Sequence, residues 1–275
     1  MHFELSERDY VDFSNLIYDK CGIYLHKGKR ELLKARLSKV LRQYNFESVR
    51  DYYKHLLSDA SGQELIPLLD TISTNLTYFF REPKHFDFLS RTALPNLCKS
   101  KRDGSVRKLN LWCAGCSSGE EPYSIAVTLL ESLPDPNHLE VTILATDIST
   151  RMLSVAAKGI YGKEKVEKIP FEWLRRHFQK GVKGWQGYFR VKSRVRELVT
   201  FKRLNLVESF PFDTTFDIIF CRNVMIYFDK PTQEKLVNRF HQALSKDGYF
   251  FIGHSESLTG IRHPFRYVQP SIYGK

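Results

Sequence analysis

Hydrophobic positions follow two regimes along the chain, helical spacing in the first seventy residues and short apolar runs from about residue 108 onward. In the first regime Leu33, Leu37, Val40 and Leu41 recur at i, i+4, i+7 and i+8, which puts them on one face of a helix. The pattern predicts helices over Glu7 to Cys21, Lys29 to Tyr44, Val49 to Ser58 and Gly62 to Ile72, joined by short polar turns. Ser6 is placed to cap the first helix and Gly22 to end it. No glycine-rich or charged linker follows; Thr74 to Glu82 runs into a predicted helix from Lys84 to Ser90, so this connector is expected to be ordered.

In the second regime Leu109 to Ala114, Val141 to Ala145, Phe216 to Cys221 and Tyr249 to Gly253 read as buried strands. Helical patterns at Glu120 to Leu133, Ser149 to Lys158 and Thr232 to Leu244 alternate with them, which predicts an α/β doubly wound sheet. The rhythm breaks at 181–203, where glycines flank Tyr188 to Val191 and Leu198 to Phe201 is β-rich; a small antiparallel β insertion is expected there. The plan is therefore an all-α N-terminal domain over 1–72, a connector over 73–90 and an α/β domain over 91–275.

Composition narrows the setting. A chain of 275 residues, 42% hydrophobic and 13% aromatic, can bury a substantial core. No apolar run approaches the roughly 20 residues of a bilayer span, and charges at Glu4, Glu7, Arg8 and Asp9 do not suit a signal peptide. Neither membrane insertion nor export is expected, and five cysteines without paired spacings fit a reducing, cytoplasmic compartment. Cys113 and Cys116 form a lone CxxC with no second pair at zinc-ligand spacing, so no metal is expected. The net charge of +11 suggests an acidic partner. Six net positive charges concentrate between Lys27 and Arg42, where Lys34, Arg36, Lys39 and Arg42 make the second helix either a solvated basic face or a docking surface for a polyanion.

Candidate chemistry collects at the ends of the strands, where ligands of open α/β sheets bind. After the first strand, Gly115 to Glu121 forms a glycine turn that is not GxGxxG. Glu120 and Glu121 at the helix start would repel a pyrophosphate and suit a cationic cofactor bearing an amino group. Asp147 closes the second strand, where a carboxylate can accept ribose hydroxyls, a feature nicotinamide enzymes share. Arg222, Asn223 and Tyr227 follow the Phe216 to Cys221 strand without the Asn/Asp-Pro-Pro-aromatic turn that grips a flipped base. In the connector, Asn75, Thr77 and Arg81 alternate with Leu76, Tyr78, Phe79 and Phe80, so aromatics can anchor it while polar groups face a cleft.

Three stretches in order, Thr71 to Glu82, Asn110 to Glu121 and Cys221 to Phe228, resemble the CheR family of methyltransferases that methylate chemotaxis receptors on glutamate using S-adenosylmethionine. The resemblance implies a methyltransferase sheet and a connector covering the cofactor through Asn75, Thr77 and Arg81. It further implies Glu121, Asp147, Arg222 and Asn223 as cofactor ligands, with Asn205 and Leu206 beside the adenine. Arg81 and Tyr227 become the candidates for holding the reacting carboxylate, S-adenosylhomocysteine the product, and cytoplasmic receptor helices the partners of the basic helix. The residues themselves also admit a nucleic-acid methyltransferase, favoured by charge and opposed by the missing base-gripping turn, and a cofactor-binding adaptor without activity.

Overall fold

The structure is a computed structural model that describes residues 4–59, 64–72, 75–100, 107–133 and 139–275. Its N-terminal part contains α1 (Glu7–Cys21), α2 (Arg30–Tyr44), α3 (Val49–Ser58) and α4 (Ile66–Ile72). The predicted start of the fourth helix at Gly62 lies outside the described residues. Asp9 N donates to the Ser6 hydroxyl at 3.0 Å, so the first helix begins where its cap dictates. Gly22 ends it at φ 72°, donating to Tyr18 O at 2.7 Å. The stripes Tyr10, Phe13, Ile17 and Cys21 of α1 and Leu33, Leu37, Val40 and Leu41 of α2 share one buried cluster. Each large apolar side chain buried this way contributes about 1.5–3 kcal/mol.

The connector leads into a helical run longer than the sequence pattern suggests: α5 (Pro83–Phe88), a π turn at Leu89–Ala93 and α6 (Leu94–Ser100). Pro95 would break an ordinary α-helix that continued through this stretch. The wider π turn, with Leu94 N donating to Leu89 O, lies where the proline ring would otherwise meet the carbonyl four residues earlier.

The remainder runs β1 (Arg107–Ala114), α7 (Glu120–Ser132), β2 (Leu139–Asp147), α8 (Thr150–Lys158), β3 (Ile160–Gly162), α9 (Lys163–Val166), α10 (Phe171–His177), β4 (Phe178–Lys180) and β5 (Tyr188–Val191). It continues with α11 (Ser193–Arg196), β6 (Val199–Arg203), β7 (Phe216–Cys221), α12 (Lys230–Ala243), β8 (Leu244–Ile252), β9 (Arg266–Gln269) and β10 (Ile272–Gly274). The seven-stranded sheet has the order β6-β2-β1-β7-β8-β10-β9, parallel from β6 through β8 and antiparallel at β10 and β9. Both faces are covered. Leu109, Leu111 and Cys113 of β1 enter one core cluster while Trp112 and Ala114 enter the other, the period-two alternation of a strand buried on both sides.

The antiparallel insertion contains the predicted strand at Tyr188 to Val191, as β5, but overlaps 181–203 only there. It consists of β3, β5 and β4, within 160–191, and the β-rich run after Leu198 is instead β6, paired in parallel with β2 at the edge of the main sheet. An edge strand shows one-sided burial, so its sequence resembles that of an antiparallel strand. β3 and β4 have three residues each, too few to display any period.

Candidate functional site

The chain leaves β1 toward β2 and β6, then returns to the other side of β1 at β7, so the order reverses between β1 and β7. A crevice must open there beyond the carboxyl ends of the strands. The structure has a cleft at that place, with about 1180 Å³ of empty space including its open mouth. Gly115, Ser117 and Glu121 line it after β1, Asp147 after β2, Asn205 and Leu206 after β6, and Arg222, Asn223 and Tyr227 after β7. Asn75, Thr77 and Arg81 line it from the connector. The nine predicted cleft residues from Asn75 to Asn223, together with Tyr227, thus converge on one cavity.

Gly115 lines the cleft, and both glycines of the turn adopt backbone that other residues avoid. A Cβ on Gly115, at φ 80°, would lie 2.3 Å from the Val224 side chain, and one on Gly119, at φ 95°, would meet Ala156 and the Tyr161 hydroxyl. Their freedom lets loop pack closely on loop, with Gly115 in the cleft wall and Gly119 behind it.

Asp147 ties two loops together. Its Oδ2 accepts from Ser117 N at 2.7 Å and its Oδ1 from Ser149 N at 2.9 Å, leaving the remaining lone pairs toward the cleft. Burial raises its pKa, while these two N–H donors hold it down in part.

Arg222 is the hub of the cleft wall after β7. Its guanidinium is fully buried and donates to Glu121 Oε2 at 2.7 Å, to Glu82 Oε2 at 3.0 Å and to the Arg81 carbonyl. Two carboxylates face one guanidinium, so the local balance is negative, and Cys113 Sγ donates to the other oxygen of Glu121 at 3.2 Å. Burial pushes Glu82 up, but Arg222 and the His254 N–H outweigh it and leave its pKa lowered. His85 beside it is buried and held neutral, its pKa pushed down to about 3 by desolvation and by Arg222.

The connector is strained and firmly anchored. Phe80 and Glu82 sit at φ 55° and 58°, a conformation that costs a non-glycine residue about 1–3 kcal/mol. Phe79 packs edge-on to Tyr161 and Phe178, Phe80 N donates to Ser124 Oγ at 2.9 Å, and Lys165 Nζ bonds both Thr77 O at 3.1 Å and the buried Glu120 at 3.0 Å. Leu76 and Tyr78 are exposed rather than anchoring. Arg81 donates to Leu76 O at 3.0 Å and lies 5.8 Å from the Tyr78 ring, and Arg222 holds Glu82 in its place. Among the described residues the Tyr227 hydroxyl makes no hydrogen bond.

Several site features had little or no sequence signal. The far wall is Cys21 to Leu25 without Gly22, just past α1, joined to the Tyr227 loop by an Ile23–Phe228 bridge and by Tyr24 N donating to Tyr227 O at 2.9 Å. Asn205 donates to Lys20 O at 2.7 Å and to Glu208 at 2.8 Å, so its amide nitrogen is engaged by protein. Glu256 is the unforeseen anchor. Its two oxygens accept from the backbone N–H groups of Asn223, Val224, Met225 and Gly253 at 2.6 to 3.0 Å and so shape the loop after β7. Its position in Gly-His-Ser-Glu-Ser just past a strand end was the available hint. His254 in that motif is exposed and outside the cleft lining. Cys113 and Cys116 are buried thiols with raised pKa values, unlike metal-ready thiolates.

On α2 the apolar stripe is buried as spaced, but the four basic candidates differ. Lys39 and Arg42 are exposed; Lys34 and Arg36 are half-buried, with the Arg36 Nε inside the protein.

A mostly parallel sheet with a largely apolar cleft at its switch point, carrying Glu121 and Asp147 at its strand ends, and a match to a SAM-binding family model define an S-adenosylmethionine-dependent methyltransferase. Residues 75–273 match the family model described as CheR methyltransferase, SAM binding domain, and residues 8–73 match CheR methyltransferase, all-alpha domain. The chain belongs to the CheR methyltransferase family. It is 42% identical to the chemotaxis protein methyltransferase of Borreliella burgdorferi, over 100% of this chain and 96% of that protein. It is 39% identical to chemotaxis protein methyltransferase 2 of Pseudomonas aeruginosa, over 98% and 94%, and 36% identical to the Escherichia coli K12 chemotaxis protein methyltransferase, over 98% and 91%. Among the described residues no helix is long and apolar enough to cross a membrane.

Proposed function

We propose that the chain transfers the methyl group of S-adenosylmethionine to glutamate side chains on cytoplasmic helices of methyl-accepting chemotaxis receptors, giving glutamate methyl esters and S-adenosylhomocysteine. The supporting observation is that Arg81 and Tyr227 open onto the same cleft as Glu121 and Asp147. The cleft suits the cofactor: a surplus carboxylate at the Arg222 hub for its amino group, Asp147 for its ribose, and Leu204 and Leu206 for an adenine face.

The cofactor supplies a methyl group activated by a sulfonium. A glutamate carboxylate, with a reference pKa of about 4.3, is already ionised at neutral pH, so the protein has no proton to remove. Its oxygen forms the new C–O bond as the methyl–sulfur bond breaks, and the electron pair stays on sulfur. The task left to the chain is alignment, worth on the order of 7–11 kcal/mol when geometry is right. Arg81 and Tyr227 orient the incoming carboxylate, the connector excludes water, and Asn75 and Thr77 close over the cofactor. The basic α2 brings the receptor near.

The purified chain should be incubated with methyl-labelled cofactor, a receptor cytoplasmic fragment and RNA. Alkali-labile label on the receptor, the mark of a carboxyl ester, is the expected result. Stable label on RNA would replace this reading with a nucleic-acid methyltransferase, and cofactor binding without transfer would make the chain an adaptor.

A further inference from the structure

Behind the Arg222 hub, outside the cleft, Glu82, His85 and His254 bring three potential ligand atoms within 4.8 Å of one another. Glu82 Oε2 lies 3.4 Å from His85 Nδ1 and 4.0 Å from His254 Nε2. Two ligands on a tetrahedral ion with bonds of about 2.0–2.1 Å stand roughly 3.3 Å apart, so the His85–Glu82 edge already fits and an inward turn of the exposed His254 ring would complete three corners of such a site.

The surroundings give a reason for an ion. His85 is 1% exposed, yet neither ring nitrogen makes a hydrogen bond. A buried polar atom without a partner costs about 1–3 kcal/mol, and such atoms are rare in native proteins. Its Nδ1 lies 3.4 Å from a carboxylate oxygen without hydrogen-bonding to it, a separation that two ligands of one cation also adopt. His254 is 47% exposed, which provides an entry path and leaves a fourth position open to water. Glu82 is already oriented, since its Oε1 accepts from His254 N at 3.2 Å. The positive charge of Arg222 is opposed by both Glu82 and Glu121.

We infer that Glu82, His85 and His254 form a binding site for one late first-row divalent cation, of which zinc is the type, with the fourth position open. Two imidazoles and one carboxylate are a zinc donor set, whereas magnesium and calcium prefer oxygen ligands alone. An ion here shares Glu82 Oε2 with Arg222 and therefore sits one residue behind the cofactor wall. The methyl transfer proposed above routes no step through it, so the two readings stand or fall separately.

Cobalt is the spectroscopic probe. Tag-free, chelator-treated full-length protein titrated with Co²⁺ should develop the intense visible bands of a four-coordinate ion, saturating at one equivalent and bleached by Zn²⁺. His254→Ala, an exposed change, should weaken cobalt binding at least tenfold while leaving metal-free S-adenosylhomocysteine affinity unchanged. Glu82→Gln should also lose the bands. Absence of a one-equivalent endpoint, or a His254→Ala protein that binds cobalt as tightly as the parent, would overturn the assignment.

Discussion

Tyr227 opens onto the cleft with a hydroxyl that no described residue claims. Tyr227→Phe removes that hydroxyl and almost no volume, so cofactor binding should survive while kcat falls about tenfold, or roughly 1.4 kcal/mol. Stopped-flow measurement with chemistry shown to be rate-limiting checks this; an unchanged kcat would reduce the tyrosine to packing. Asp147 has two duties, holding Ser117 and Ser149 and facing the cleft. Asp147→Ala should therefore weaken S-adenosylhomocysteine by about 1–3 kcal/mol in calorimetry and lower the melting temperature as well. A cofactor affinity equal to the parent's would remove it from the ligand set.

At the scale of elements, the loop after β7 owes its shape to Glu256. A carboxylate can accept from all four backbone donors, but a glutamine has one acceptor oxygen and an NH₂ that would face N–H groups. Glu256→Gln should cost about 1–3 kcal/mol in denaturant unfolding and loosen Asn223 to Met225, seen as faster amide exchange there. For α2, the half-buried Arg36 makes Lys39 and Arg42 the better test of docking. Lys39→Glu with Arg42→Glu should raise the receptor KM and flatten its salt dependence with cofactor affinity unchanged; an unaltered salt response would return the helix to a solvated face. These elements also show what sequence could disclose. α1 and α3 begin at Ser6 and Ser48 caps and bury regular stripes, so local chemistry marks their limits. Most cleft residues were readable because strand ends and the three family stretches carry them, whereas Asn205 and Leu206 follow β6 and came from the family resemblance alone. The edge strand β6, the three-residue β3 and β4, and the wall at Cys21 to Leu25 depend on partners distant in sequence, and periodicity carries no record of such partners.

Across the whole molecule, the helical part is a wall of the cofactor cleft. Lys20 O holds Asn205, Tyr18 donates to Asp229 at 2.8 Å, and Gly22 fits against Val207 with room for no side chain. Gly22→Ala would place a Cβ 2.5 Å from Val207 Cγ1 at a φ of 72°, so it should lower the melting temperature and weaken cofactor binding from outside the ligand set. Full affinity in a folded variant would show that the seam tolerates separation. The lysine at 165 has a wider consequence. It reaches from α9 to the connector carbonyl of Thr77 and to the fully buried carboxylate of Glu120, so losing the lysine alone leaves a core anion with only the Ser118 hydroxyl and losing the glutamate alone removes the counter-charge that holds the lysine in place. Such a pair resists single-step drift. In descent these two positions should be inherited or exchanged together, and a lineage that has replaced one should carry a compensating change at the other.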